Sequence, residues 1–346
     1  MDGAEEVRRS VEATLTWREA ATSAAAVDDA MAAAAAIGTE AIDGLRRADA
    51  VVFSGAGSSY YLAQSAAWAW REIVGRPAQA VPLSELLLRP DVAVDRRPET
   101  LAVVVISRSG MTSEAVDAAR WARQAGATTV GLTCRAMSPL IGTVDHALVA
   151  TAGDEAAIVM TRSFTSMLSG ILGVAARVSG KAPWLDRMAS LPGAFTAAAD
   201  LASAGNPGEA WHLAAEPWSR AVILGGGARL GIAREACLKI IETSQLESSA
   251  YEPLEFRHGP ISVCEPGVLV VGLLGDSAAD EERRVLDECA MLGATTWLPD
   301  PGPGLHPLVR LPLLLPPLQA LALGIAIRRG RDPDRPRHLT QVVVLS

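Results

Sequence analysis

Apolar positions along this chain fall into short continuous runs, separated by stretches in which they recur at helical spacing. From Val51 the runs VVFSG (51–55), AQAVPL, LAVVVISRSG (101–110), TTVGLT and HALVAT predict strands. Between them, YYLAQSAAWAWREIVG (60–75) and TSEAVDAARWARQAG (112–126) predict helices, and a further long helix covers the 160s and 170s. Near-continuous apolar strands alternating with helices imply a parallel sheet covered on both faces. Upstream, residues 5–46 are alanine-rich with charges at helical spacing and predict two helices.

After a turn-rich region around Leu185–Gly208 the order repeats. AVILGG predicts a strand, IAREACLKIIETSQL (232–246) a helix, VLVVGLLG (268–275) a strand, AADEERRVLDECAMLG a helix and TTWLP a strand. Two landmarks keep step across this repeat. Gly55 and Gly57 recur as Gly225 and Gly227, 170 residues on, and GATT at 126–129 recurs 167 residues on at 293–296. Independent strand–helix units rarely hold two landmarks in register, so the pattern implies an internal duplication of a doubly wound α/β domain. The expected domains are 1–190, N-terminal helices with the first copy, and 191–346, the second copy with a C-terminal tail. The copies differ in one loop. ISRSGMTSE (106–114) in the first aligns with LLGDSAADE (273–281) in the second, so hydroxyls are kept once and one anion site per chain is expected.

Composition narrows the class. Of 346 residues, 49% are hydrophobic and 20% charged, enough apolar side chain for two packed interiors. A net charge of −8 argues against a nucleic-acid partner or an anionic membrane surface, while leaving room for a small anionic substrate held by amides and hydroxyls. The four cysteines are scattered without CxxC or Cys/His clusters, so neither a metal site nor a disulfide framework is expected. LVRLPLLLPPLQALALGIAI (308–327) carries three prolines and an arginine and is expected to be a buried strand, a turn and a helix rather than a membrane span. With no apolar core in MDGAEEVRRS, a secretory signal is not expected, and the location implied is cytoplasmic.

Two constellations can carry chemistry. SGAGSS fails the GxGxxG test because Tyr60 stands three positions after Gly57, and no GxxxxGK[ST] occurs, so a dinucleotide reading would rest on glycines alone. Taken singly, GAGSS is either a tight strand–helix turn or half of an anion cradle. Ser58 and Ser59 after one strand, with Ser107, Ser109 and Thr112 after another of the same sheet, favour a neutral cradle for a phosphate at the switch point. For each serine alone the simpler reading is helix N-capping. Arg108 either adds charge or faces solvent. In REACLKIIETSQLESSAYEPLEFRHGP (234–260), Glu235, Lys239 and Glu242 fall on one helix face at i, i+4 and i+7. That is either a solvated ion-pair stripe or a carboxylate tuned for proton transfer. His258 stands after them in a loop with Gly259 and Pro260 and is structural or catalytic according to its neighbours.

GAGSS, SRSGMTS, GDEAAIVMTRSFTSML, EACLKIIE…EFRHGP and DPDRPRHL stand in this order from about Val51 to the C-terminus. In this the chain resembles the sugar isomerase (SIS) family in its double-domain form. It is similar to the isomerase half of glucosamine-6-phosphate synthase and to stand-alone amino-sugar-phosphate deaminases and isomerases. The resemblance implies that Gly57, Ser58, Ser59, Ser107, Arg108, Ser109 and Thr112 hold a sugar 6-phosphate and that Glu155 lies near the sugar hydroxyls. It implies Glu242 as the base moving a proton between C1 and C2, with Glu235 and Lys239 as its helix neighbours. His258 would open the ring, supplied by the partner subunit of a homodimer. No cofactor or metal is implied, and without a glutaminase domain glutamine is not the expected nitrogen source. Gln341 stands where the family's tail carries a lysine, and glutamine cannot form an imine or carry the proton. The function implied is an aldose–ketose or deaminating isomerase of a hexose or hexosamine 6-phosphate; the alternative is a sugar-phosphate-binding regulator without turnover.

Overall fold

The structure is a computed structural model that describes residues 3–94, 96–203, 208–275 and 278–341. The chain forms two compact units, each drawn from separate segments. One comprises Thr22–Ala156, Arg162–Phe195 and Thr340–Ser346; the other comprises Met1–Ala21, Ala157–Thr161 and Thr196–Leu339.

Four helices precede the first strand where two were predicted: α1 (Gly3–Glu12), α2 (Leu15–Ala20), α3 (Ser23–Ala36) and α4 (Thr39–Arg47). Alanine-rich sequence hides the breaks, which rest on individual residues between the helices. Thr14 Oγ1, for example, accepts from the Trp17 amide and starts α2 afresh. The first sheet is built from β1 (Ala50–Gly55), α5 (Ser58–Val74), β2 (Ala78–Pro82), two short helices α6 (Leu83–Leu88) and α7 (Pro90–Ala93), β3 (Leu101–Ile106), α8 (Ser113–Gln124), β4 (Thr128–Thr133) and β5 (His146–Val149). All five strands are parallel in the order β2-β1-β3-β4-β5. Chain direction across the sheet reverses between β1 and β3, which pair with Ser54 opposite Val105, so the loops after these two strands leave side by side. Phe53 of β1 meets Trp70 of α5 edge to face at 5.7 Å, and both are fully buried.

The long helix α9 (Arg162–Ser179) is buried along nearly its whole length. The supposed turn-rich stretch around Leu185–Gly208 is instead helical in α10 (Ala182–Ala189) and α11 (Leu191–Ser203). Pro183 sits in the first turn of α10, where no amide hydrogen is needed, and residues 204–207 of the stretch lie outside the described residues.

The second sheet is built from α12 (Glu209–Ala215), β6 (Arg220–Gly225), α13 (Ala228–Ser244), β7 (Ser248–Tyr251), α14 (Pro253–Phe256), β8 (Val268–Leu273), α15 (Ala279–Met291) and β9 (Thr295–Trp297). Its parallel order, β7-β6-β8-β9, repeats the first four positions of the other sheet. Strand β7 is not legible in the sequence because SSAY is half-buried and carries no apolar run. The expected strand in 308–327 is absent: α16 (Pro307–Leu313) and α17 (Leu315–Arg328) fill the region, with Pro316 and Pro317 in the first turn of α17. By length and composition Pro307–Arg328 could cross a membrane, yet 83% of its most apolar window is buried within the fold.

Candidate active site

The first cluster belongs to the unit of the five-stranded sheet. Gly57 ends the β1 turn at φ 55°, ψ −127°, a conformation that L side chains rarely adopt, and it serves as N-cap of α5 without a side chain of its own. Ser58 and Ser59 open α5 and are 6% and 5% exposed. After β3, Ser107, Arg108 and Ser109 are equally withdrawn from solvent. The serines are not helix caps. Ser107 Oγ accepts from the Gly110 amide at 3.1 Å and Ser109 Oγ from the Met111 amide at 3.2 Å, which closes the loop on itself. Ser107 also donates a long bond of 3.5 Å to Thr112 Oγ1. Thr112 is the N-cap of α8 but makes no side-chain cap, so the helix turns first-turn amides and a partial positive charge towards this loop. Two hydroxyl loops and two helix N-termini thus emerge from adjacent strands.

Arg108 does not face solvent. Its guanidinium lies 3.6 Å from Glu155, and both side chains are almost fully enclosed. Glu155 in turn accepts from the Arg162 amide at 3.1 Å, the Ser163 amide at 3.4 Å and the Ser163 hydroxyl, so its carboxylate also caps the start of α9. Gln341 joins this group. Its carbonyl accepts from Arg108 Nη2 at 3.0 Å, and its side-chain amide donates to the Glu155 carbonyl at 2.9 Å and, more weakly, to that of Ala156. Sequence reasoning missed Ser163, although MTRSFTSML shows hydroxyls in an otherwise apolar helix. It also missed Thr133, whose hydroxyl donates to the Arg108 carbonyl at 2.9 Å.

The second cluster belongs to the unit of the four-stranded sheet. The solvated-stripe reading fails at two of its three residues: Glu235 is 2% and Lys239 3% exposed. Lys239 Nζ sits 3.4 Å from Glu235 and 2.5 Å from Glu242, whose side chain remains 18% exposed. Burial pushes the lysine pKa down, but the charges of Glu235 and Glu242 outweigh it and hold the amine above its ordinary value. Lys239 therefore keeps its proton at neutral pH, and Glu242 is the member of the triad that reaches the surface. His258 lies after α14 on an exposed turn before Gly259 at φ 120°. Its amide donates to the Glu255 carbonyl, while its ring makes no hydrogen bond or ion pair among the described residues. Among those residues no group of three or more His, Cys, Asp or Glu is placed to hold a metal ion.

Residues 44–176 match the SIS domain family, a span that contains the first cluster except Gln341. The chain is 28% identical over 351 residues to glutamine–fructose-6-phosphate aminotransferase (isomerizing) of Xylella fastidiosa, across 94% of this chain and 56% of that protein. It spans about half the length of the curated relatives it matches. Glucosamine-6-phosphate deaminase from Thermotoga maritima superposes with a TM-score of 0.74 at 26% identity, over 92% of this chain and 99% of that one. The C-terminal domain of glucosamine–fructose-6-phosphate aminotransferase from Francisella tularensis gives 0.81 at 20% identity, over 92% and 98%, which speaks for the fold.

Proposed function

We propose that this chain is a phosphosugar isomerase, working as an aldose–ketose or deaminating isomerase on a hexose or hexosamine 6-phosphate. The observation that carries the reading is the Glu235–Lys239–Glu242 triad, a buried, charged lysine beside a carboxylate that reaches the surface. A positioned carboxylate is a general base that can move a proton between neighbouring carbons. In this scheme the Ser58–Ser59 and Ser107–Thr112 loops take the phosphate. Glu242 removes a proton from C1 or C2 and returns it to the other through an enediol or enolamine. With an amino sugar the resulting ketimine hydrolyses to the ketose phosphate and ammonia. His258 opens the ring, in a site shared with a second copy of the chain. The second sheet is read as a second SIS domain, a reading supported by its matching strand order.

Gln341 favours one other reading, a sugar-phosphate-binding protein without turnover, because its side-chain amide is spent on backbone carbonyls. One experiment separates the two. Glucosamine, galactosamine, glucose and fructose 6-phosphates are incubated with the protein, and ammonia and ketose or aldose products are assayed. The isomerase reading expects turnover of at least one, cut about 10²- to 10⁴-fold in Glu242→Gln with phosphate-dependent binding kept. Binding without any product would overturn it in favour of the regulator, and unchanged turnover in Glu242→Gln would remove that residue from the mechanism.

A further inference from the structure

The turn after β6 repeats the turn after β1. Gly227 has φ 57°, ψ −127°, against 55° and −127° at Gly57. The next two residues differ: where the first copy has Ser58 and Ser59, the second has Ala228 and Arg229. The Arg229 side chain folds back over the mouth of its own sheet. Its Nε donates to the Leu273 carbonyl at the end of β8 at 2.8 Å, and its Nη2 donates to Glu282 Oε1 at 2.8 Å. The other oxygen of Glu282 accepts from the Gly275 amide at 2.7 Å. Both side chains are largely enclosed, at 16% and 7% exposure. A Cβ on Gly275 would stand 2.4 Å from Arg229 Nη1, so glycine there leaves room for the guanidinium.

A carboxylate seated on a guanidinium and a backbone amide, beside a glycine turn at a switch point, has the partners a bound oxyanion would have. We propose that the second switch point is an oxyanion site whose occupant is the chain's own Glu282 carboxylate. A tethered anion of this kind acts at an effective concentration of order millimolar or higher. It competes with free phosphate at the second switch point, while the hydroxyl loops of the first copy stay open to an anion. With the carboxylate withdrawn, the site takes a small tetrahedral oxyanion, phosphate or sulfate.

The test is rescue by added anions and needs no turnover, so it stands apart from the fate of the isomerase reading. Glu282→Ala and the isosteric Glu282→Gln are made in a Ser107→Ala/Ser109→Ala background, which weakens the first cradle. Thermal unfolding is monitored in sodium phosphate, sodium sulfate and sodium chloride at matched ionic strength. Both variants are expected to melt several degrees below their parent and to regain at least half of that loss in phosphate or sulfate but not in chloride. Adding Arg229→Ala is expected to abolish the anion-specific gain. A parent that gains as much as the variants, equal recovery in chloride, or recovery that survives Arg229→Ala would each overturn the proposal. Should Glu282→Ala fail to fold, the Glu282→Gln series decides alone, since its amide keeps the side-chain volume.

Discussion

Helices α5 and α13 are the same object used in two ways. Each has 17 residues, starts from a glycine N-cap with the same dihedrals and comes after the first strand of its sheet. In α5 the polar groups stand at the N-terminus, as Ser58 and Ser59, while Ser65 and Ala69 lie buried on the flank at 0% and 1% exposure. In α13 the positions matching that flank hold Glu235 and Lys239, buried just as deeply. Taking two opposite charges out of water costs several kcal/mol per ion before their attraction offsets it, whereas serine and alanine incur no such penalty. Since a serine and an alanine fill this position in α5, packing does not call for the charges in α13. Under the proposed function they mark chemistry that has moved from the end of the helix to its side.

The largest effect that sharpens this contrast is expected from Lys239→Met, which strands the Glu235 carboxylate in the interior. A loss of about 3–5 kcal/mol in urea unfolding is expected, mostly recovered on adding Glu235→Leu, because an apolar pair replaces a buried ion pair with little penalty. A loss below about 1 kcal/mol would break the comparison. The pH dependence tracks the same pair. The folded pKa of Lys239 lies above its unfolded value, so its contribution is complete below the ordinary lysine pKa of 10.5 and fades as pH rises through the folded value. The gap between wild type and Lys239→Met should therefore hold through neutral pH and narrow in strong alkali.

Next in size come Gly57→Ala and Gly227→Ala. Each forces an alanine into the same unfavourable backbone region, and each should lower stability by about 1–3 kcal/mol. Only Gly57→Ala is expected to raise KM for the sugar phosphate, since the second turn is expected to hold no ligand. A matching rise in KM for Gly227→Ala would put ligand at both turns.

How much of this could be read along the chain depended on whether the signal was local. The repeat was legible because Gly57 and Gly227 are required by backbone geometry that sequence alone must satisfy. The two parallel sheets were legible because buried strands leave apolar runs. The helical form of 308–327 was not, because the sequence does not say which turn a proline occupies: Pro316 and Pro317 are harmless in the first turn of α17, and Pro312 lies inside the short α16, just before its end. Within the sites, the spacing of Glu235, Lys239 and Glu242 fixed a common face but not its burial. Whether Arg108 adds charge or faces solvent stayed open along the chain, because its partners Glu155 and Gln341 lie 47 and 233 residues away and meet it only through the fold. Ser163 was hidden for the same reason: its value lies in the carboxylate it donates to.

The smallest expected effect tests the α5 side of the comparison. Ser65, the counterpart of Glu235, is fully buried, and its hydroxyl has no hydrogen-bond partner among the described residues. A buried hydroxyl left unsatisfied carries a desolvation cost that alanine removes while adding only a small void. Ser65→Ala is therefore expected to be neutral or to stabilise by up to about 1 kcal/mol, with kcat and KM unchanged. The measurement is a urea midpoint at constant m-value, alongside steady-state kinetics. If Ser65→Ala instead cost more than about 1 kcal/mol or slowed turnover, the flank of α5 would hold a polar role of its own, and the proposed division of ligand binding at α5 from proton transfer at α13 would fail.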